Sequence, residues 1–179
     1  MHVLDLEPGQ LERWQRTPHA IPRADVVFRV EGPGAVSCLQ GLFTNDLAKA
    51  GASSLLWGAV LTPKGMIITD CWMRRQGDVV LVIAPSEGAD ALSALFRRSL
   101  PPRLAKVSDL RDTTAVWWLI GGEPPALDGA DVATPDGPAP FAAMAIGARD
   151  ALAGQLDAAG WIGLDAAAVG KRFTTFVQQ

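Results

Sequence analysis

The chain has 179 residues, of which 49% are hydrophobic and 20% are charged, and its formal net charge is -3. A chain of this length accommodates one domain or two small lobes that share a core. The hydrophobic content excludes a disordered protein, and the small acidic excess lacks the basic surface that a nucleic-acid-binding protein presents.

The N-terminal quarter of the chain is predicted to contain a leader, a strand and a helix. Residues 1–23 form a polar leader interrupted by two prolines. Residues 24–30, Ala-Asp-Val-Val-Phe-Arg-Val, favour a strand through their β-branched and aromatic side chains. After a Gly-Pro-Gly turn, apolar side chains at helical spacing predict a helix over residues 35–47, which ends near the turn-forming pair Asn45-Asp46.

A hairpin, a further strand and a second helix are predicted next. Residues 54–61 and 66–73 are apolar and are joined by Thr-Pro-Lys-Gly, a sequence that favours a tight hairpin turn. Residues 78–84 favour a strand because they are rich in β-branched side chains. A helix then runs to about residue 100, with Ser86 as a suitable N-cap residue.

The remainder of the chain predicts strands and helices on either side of a long loop. Residues 121–140 are rich in Gly, Pro, Asp and Ala, which is typical of a surface loop. Strands are expected at 104–110, 115–121 and 141–147, and helices at 149–159 and 165–173.

These elements predict an α+β fold with antiparallel sheets and packed helices, because strands outnumber helices and follow one another in sequence. We expect three parts along the chain. Residues 1–23 are the leader, residues 24–120 are an N-terminal lobe, and residues 121–179 are a second lobe that contains the long loop 121–140.

Asp70 is the most unusual polar residue, because it interrupts the apolar strand Met-Ile-Ile-Thr-Asp-Cys-Trp-Met. Alternation along a strand places it on one face with Met66, Ile68 and Trp72. A carboxylate on such a strip is paired, protonated or directed at a ligand. The alternative is an edge-strand aspartate that faces water or accepts a hydrogen bond from a neighbouring backbone N–H.

Two other features could contribute to a binding site. The sequence Gln-Gly-Leu-Phe-Thr-Asn-Asp at 40–46 concentrates polar side chains, although an ordinary helix C-terminus has the same composition. Trp117 and Trp118 are adjacent in a predicted strand and point to opposite faces. One of them belongs in the core, and the other could stack on a flat ligand.

Several classes of chemistry have no support in the sequence. Cys38 and Cys71 are too few for a disulfide framework and are predicted to be small buried side chains. His2 and His19 lack partners at metal-ligand spacing, so no metal site is expected. No apolar run has the roughly 20 residues that cross a bilayer, and the N-terminus lacks a secretory pattern, so we expect a cytoplasmic protein without membrane association.

Two blocks of sequence resemble a known family. Leu-Gln-Gly-Leu-Phe-Thr-Asn-Asp-Leu at 39–47 and Gly-Ala-Val-Leu-Thr-Pro-Lys-Gly-Met-Ile-Ile-Thr-Asp at 58–70 are similar to the N-terminal part of the glycine-cleavage T-protein, or aminomethyltransferase, superfamily. The resemblance is closest to the YgfZ-type folate-binding branch. It extends over about residues 26–110 and is weaker over 140–173.

The resemblance implies a cofactor and a set of site residues. Tetrahydrofolate is the implied cofactor, and Asp70 matches the carboxylate that orients the reacting amine and supports it electrostatically, which makes Asp70 the implied catalytic residue. YgfZ-type proteins are linked to one-carbon metabolism and to the maintenance of iron–sulfur enzymes. The cofactor-binding residues suggested with Asp70 are Asn45, Lys64, Trp72 and Arg172.

The C-terminal part of the sequence departs from the family pattern. Arg172 is followed two residues later by Thr174, where the transferases carry a pterin-binding Glu. Thr offers a weaker hydrogen bond than a carboxylate. The cysteine-containing signature of the YgfZ branch has no counterpart in Gly-Lys-Arg-Phe-Thr-Thr-Phe-Val-Gln-Gln at 170–179. The resemblance leads us to expect a short form without the C-terminal barrel of the family.

Three functions are therefore compatible with the sequence. The first is a short YgfZ-like protein that binds tetrahydrofolate. The second is an aminomethyltransferase-like subunit whose site is completed by a partner chain or by a second copy, since a missing lobe would leave an apolar face that favours association. The third is a structural subunit that has kept the fold and lost the ligand.

Overall fold

The computed structural model describes residues 16–51 and 53–164, which fold into β-strands and short helices. The strands are β1 (His19–Arg23), β2 (Asp25–Glu31), β3 (Ser54–Leu61), β4 (Ile67–Gln76), β5 (Val79–Pro85), β6 (Lys106–Asp109), β7 (Thr114–Ile120), β8 (Asp131–Pro135), β9 (Ala143–Ala148) and β10 (Ile162–Gly163). The α-helices are α1 (Ala35–Gln40), α2 (Ala89–Ser99) and α3 (Arg149–Ala158).

The larger of two compact units comprises residues 24–114 and 133–138. Its strands lie in the order β3-β4-β5-β2-β6, and neighbouring strands in this series are antiparallel. In addition, Ser54 and Leu55 of β3 pair in parallel with Thr134 and Pro135. The hairpins β3–β4 and β4–β5 form because short turns join strands rich in β-branched and aromatic residues.

One face of this sheet packs against α2 to form the main core. Alternate residues of the strands supply the buried face, and Leu92, Leu95 and Phe96 supply the apolar stripe of the helix. The rings of Phe28 and Phe96 meet edge to face, with centroids 5.6 Å apart. The strand residues in this core include Val26, Phe28, Val30, Leu56, Val60, Cys71, Met73, Val80, Val82 and Ala84.

The smaller unit contains β1, β7, β9, β10 and α3. Its strands lie in the order β10-β1-β7-β9, with β1 antiparallel to β7 and parallel to β10. Its buried cluster consists of Ala20, Leu119, Ala143, Ala145, Leu152, Leu156 and Trp161. Small side chains on β9 allow the two leucines of α3 to pack closely.

The pairing of strands is mixed, which corrects the prediction of antiparallel sheets. The β3–β8 and β1–β10 pairs are parallel. Alternating side chains predict that a strand forms but do not give its direction relative to a strand far away in sequence, so the sequence supported antiparallel pairing where short turns join neighbours.

Two segments predicted to lack regular structure contain strands. β1 lies within the predicted leader 1–23, and β8 lies within the predicted loop 121–140. In β8, the N–H of Thr134 donates to the carbonyl of Ser53 at 3.0 Å, and just after it the N–H of Asp136 donates to the carbonyl of Leu55 at 2.9 Å. Long-range pairing therefore outweighs the Gly- and Pro-rich composition of the segment.

The two predicted helices of the larger unit begin or end at different residues in the structure. α1 ends at Gln40 and not near Asn45, for reasons given below. Ser86 does not cap α2, because residues Ser86–Gly88 form a 3₁₀ turn and the hydroxyl of Ser86 donates to Glu87 at 3.4 Å. The predicted helix 165–173, with Arg172 and Thr174, lies outside the described residues, and the division into lobes at residue 120 stays a prediction.

Candidate functional site

The β3–β4 hairpin sets the register of the predicted site. The N–H of Gly65 donates to the carbonyl of Thr62 at 2.8 Å, and the N–H of Thr62 donates to the carbonyl of Met66 at 2.8 Å. Gly65 has φ 78°, a left-handed conformation that glycine adopts without strain. The Thr-Pro-Lys-Gly turn predicted from the sequence is therefore confirmed.

A β-bulge near the turn changes the predicted face of one residue. Val60 pairs with Thr69 and Leu61 with Ile67, so Ile68 is the extra residue of β4. Ile68 packs against the main core, on the side of Cys71, and not alongside Asp70. The predicted strip of Met66, Ile68, Asp70 and Trp72 was therefore wrong at Ile68, because strict alternation does not continue through a bulge.

Beyond the bulge, Asp70 and Trp72 share the face that points away from the main core. In the register of the hairpin Ala59 is opposite Asp70, and Trp57 is opposite Trp72. The rings of Trp57 and Trp72 lie with centroids 4.8 Å apart and their planes at 52°. Trp72 is buried, whereas Trp57 is 46% exposed and the Asp70 side chain is exposed.

This arrangement has the two elements that a flat polar ligand needs. A half-exposed indole held by a second, buried indole gives a rigid surface on which a ring can stack. The carboxylate of Asp70 is two residues from Trp72 on the same strand, which is roughly 7 Å along the chain. It can accept hydrogen bonds from the edge of a ligand ring stacked on the indole.

Residues 41–45 lie along the side of β3 that faces away from β4, which explains why α1 ends early. The N–H of Leu61 donates to the carbonyl of Leu42 at 2.8 Å, and Phe43 forms an isolated antiparallel bridge with Val60. The N–H of Thr44 donates to the carbonyl of Ala59 at 3.1 Å. These contacts with β3 replace the hydrogen bonds that a longer helix would make.

The polar side chains of the predicted segment 40–46 are hydrogen-bonded within the chain. The amide Nδ2 of Asn45 donates to the carbonyl of Trp57 at 3.0 Å, and its Oδ1 accepts from the N–H of Asp46 at 2.8 Å. The amide Nε2 of Gln40 donates to the carbonyl of Asn45 at 2.9 Å, and its Oε1 accepts from the N–H of Leu47 at 2.7 Å. Asn45 therefore lies beside β3 at the level of Trp57.

Lys64 lies at the tip of the hairpin and is not adjacent to Asp70. The tip residues are exposed, with Met66 at 65% and Ile67 at 71%. The three residue-to-residue steps from Ile67 to Asp70 span roughly 10 Å of strand. The structure therefore brings Asp70, Trp72 and Asn45 to one part of the hairpin, leaves Lys64 at its end, and does not describe Arg172.

Trp57 is a candidate site residue that the sequence alone did not indicate. Trp57 lies on the same face of β3 as Leu55 and Ala59. That face is shared with Asp70 only in the observed register of the hairpin. The signal available in the sequence was a tryptophan in each of the two predicted strands of the hairpin, Trp57 and Trp72.

Cys71, next to Asp70, points into the main core and is chemically protected. Burial raises the pKa of the Cys71 thiol, and the negative charge of Asp70 raises it further. A raised thiol pKa keeps the side chain neutral, and therefore unreactive, over a wider alkaline range.

We expect a thiol reagent at mildly alkaline pH to modify Cys71 only after unfolding, as measured by mass spectrometry with and without urea.

The half-buried Cys38 is the internal comparison for this experiment. It should react in the folded protein, and a Cys38→Ser variant should then remain unmodified until urea is added. Modification of Cys71 in folded Cys38→Ser at a rate similar to that of Cys38 would contradict the burial of this side of β4.

The described part of the chain supports neither a metal centre nor a membrane-spanning helix. Among residues 16–51 and 53–164, no three His, Cys, Asp or Glu side chains group so as to hold a metal ion. Over the same residues, no helix has the length and apolar character needed to span a membrane.

The structure is similar to that of a glycine cleavage system aminomethyltransferase T from Bartonella henselae, with a TM-score of 0.65 and 17% sequence identity. The similarity covers 81% of this chain and 46% of that chain, so this chain spans about half the length of that protein. At this identity the similarity shows the fold, which is T-protein-like. No protein-family model matches the sequence, and no curated protein matches it significantly.

Proposed function

We propose that this chain is a cytoplasmic tetrahydrofolate-binding protein of the YgfZ type. The observation that carries the proposal is the exposed carboxylate of Asp70 on the sheet face that also presents the half-exposed Trp57, packed against Trp72. The T-protein-like fold and the sequence resemblance at residues 39–47 and 58–70 agree with it. A fold is compatible with many functions, so the site is the stronger argument.

The chemistry of a reduced pterin fits these side chains. Stacking of a flat heterocycle on an aromatic side chain contributes about 1–3 kcal/mol. The edge of the pterin carries amino and ring N–H donors. A carboxylate can accept charge-assisted hydrogen bonds from them. Trp57 would provide the stacking surface, Trp72 would support it from behind, and Asp70 would bind the edge.

The remaining predicted residues have roles farther from the ring. Lys64, at the hairpin tip, is suited to the carboxylate end of the folate molecule because it is a cation beyond the reach of the Asp70 subsite. Arg172 is proposed as a second cation for the ligand, on the basis of the sequence resemblance alone. Asp70 would also support positive charge on a reacting amine if the bound folate takes part in aminomethyl transfer.

The biological setting of the proposal rests on the sequence resemblance. The protein would act in one-carbon metabolism or in the maintenance of iron–sulfur proteins, and it would associate with a protein partner or with a second copy of the chain.

Calorimetry separates the proposal from a purely structural subunit, which would give no heat of binding with tetrahydrofolate.

Asp70→Asn is expected to weaken tetrahydrofolate binding at least about tenfold, because hydrogen bonds to a charged group contribute more than neutral ones. The substitution keeps the shape of the side chain and removes its charge. Isothermal titration calorimetry with the full chain, under anaerobic conditions that keep the folate reduced, gives the dissociation constants of the wild-type and variant proteins.

Asp78→Asn is the matched control, because Asp78 is an exposed carboxylate in the β4–β5 turn. It should bind tetrahydrofolate as the wild-type protein does. The proposed function fails if wild-type protein gives no saturable heat, and the assignment of Asp70 fails if both variants bind equally well.

A further inference from the structure

The side of β3 that faces away from β4 is held in an unusual way between Trp57 and Ala59. Farther along this side, Ser54 and Leu55 pair with strand β8, and Val60 pairs with Phe43. Between these two points, the backbone N–H of Thr44 donates to the carbonyl of Ala59 at 3.1 Å, and two side chains supply the other partners. The N–H of Ala59 donates to Oγ1 of Thr44 at 2.8 Å, and the carbonyl of Trp57 accepts from Nδ2 of Asn45 at 3.0 Å.

These two bonds act on the residues that face the proposed site. Trp57 is opposite Trp72 in the hairpin, and Ala59 is opposite Asp70. Each bond therefore fixes the β3 residue that lies across from a member of the site. We call Thr44 and Asn45, with these bonds, the Thr44–Asn45 clasp.

We propose that the Thr44–Asn45 clasp positions the binding site by holding Trp57 against Trp72, so that both residues act on the ligand through Trp57 without touching it. The inference deepens the proposed function and rests on it. The amide of Asn45 is already bonded at both ends, since Oδ1 accepts from Asp46 while Nδ2 donates to Trp57. Both polar atoms of its amide therefore take part in holding the local fold.

Neighbouring residues keep the clasp in place. Gln40 bonds through its side chain to the carbonyl of Asn45 and to the N–H of Leu47, which fixes the backbone on both sides of the clasp. Gly58 leaves the space that the clasp occupies, because a Cβ atom there would lie 2.9 Å from Oγ1 of Thr44.

Two substitutions remove one bond each with little change of shape. Thr44→Val removes the acceptor for Ala59, and Thr44→Ser restores a hydroxyl. Asn45→Asp keeps an acceptor for Asp46 and removes the donor to Trp57. Asp46→Ala is the control. It removes the hydrogen bond that the Asp46 carboxylate accepts from the N–H of Ala48 and the ion pair with Lys49, and neither of these bonds involves Trp57.

Circular dichroism of the ligand-free protein reports the geometry of the tryptophan pair directly. Two indoles 4.8 Å apart couple their electronic transitions, and the resulting exciton couplet should disappear in Trp57→Phe. Thr44→Val and Asn45→Asp should reduce the couplet and weaken tetrahydrofolate binding about threefold to tenfold, and Thr44→Ser should restore both. Asp46→Ala should lower the melting temperature while leaving the couplet and the affinity unchanged.

The two proposals fail in different ways. If the wild-type protein binds no tetrahydrofolate, the proposed function fails, while the couplet still tests the clasp. A couplet that persists unchanged in both Thr44→Val and Asn45→Asp overturns the clasp, whatever the folate result. Loss of couplet and affinity in Asp46→Ala to the same degree also overturns it, because the effect would then come from general loss of stability.

Discussion

Replacement of Gly58 by alanine is expected to lower the free energy of unfolding by about 1–3 kcal/mol, because a methyl group is forced into a filled space. A Cβ atom on Gly58 would lie 2.5 Å from Cε2 and 2.7 Å from Cζ of the Phe43 ring. Phe43 is itself buried and cannot swing into solvent without exposing its ring. Urea unfolding followed by circular dichroism measures the change.

Gly154→Ala provides a matched control in which the same substitution should have the opposite effect. Gly154 is exposed within α3, and a Cβ atom added there would meet no atom within 4 Å beyond its own stretch of helix. Alanine in place of glycine in a helix interior stabilises by about 1 kcal/mol. If Gly58→Ala leaves stability unchanged while Gly154→Ala raises it, the close approach of residues 43–44 to β3 is not present in solution.

Phe96→Ala is expected to have the largest effect on stability, about 3–5 kcal/mol, because it removes a fully buried aromatic ring and leaves a cavity. Phe96 is 1% exposed, and its edge-to-face contact with Phe28 adds to the loss. A loss of this size is a large part of the stability of an ordinary domain, so partial unfolding at room temperature is the expected result. Chemical denaturation and calorimetric melting measure it.

Phe96→Leu is the control for this prediction, since it keeps an apolar side chain in the same place. It should cost clearly less than Phe96→Ala, because the remaining cavity is smaller. Equal effects of the two substitutions would contradict the packing of α2 on β2, and a cost below about 1 kcal/mol for Phe96→Ala would mean that the ring is not buried.

The sequence was sufficient to predict the part of the candidate site that depends on local pattern. Alternation along one strand places Asp70 and Trp72 on the same face, and the Thr-Pro-Lys-Gly turn predicts the hairpin. Both features are present in the structure. The resemblance of two short sequence blocks also predicted the T-protein-like fold, which the structural similarity supports.

The features that the sequence did not predict depend on contacts between residues far apart in the chain. Trp57 joins the site through the register of two strands, and Ile68 leaves the predicted strip because of a bulge in that register. The helix α1 ends at Gln40 because residues 42–44 bond to β3, about fifteen residues later in sequence. β8 forms in a Gly- and Pro-rich segment because β3 offers it hydrogen-bonding groups. Local propensity contains no information about such partners.

The bulge at Ile68 also makes the end of the hairpin tolerant of changes in length. In a regular hairpin, adding or removing one residue would shift the register and turn Asp70 and Trp72 toward the core. A bulge between the turn and Thr69 can take up such a change. The pairs on the far side of the bulge, from Val60 back to Leu55, are held because β3 is also paired on its other side. A change of length within residues 62–67 should therefore leave Asp70 and Trp72 facing the proposed ligand ring, while it moves Lys64 relative to the proposed carboxylate end of the ligand.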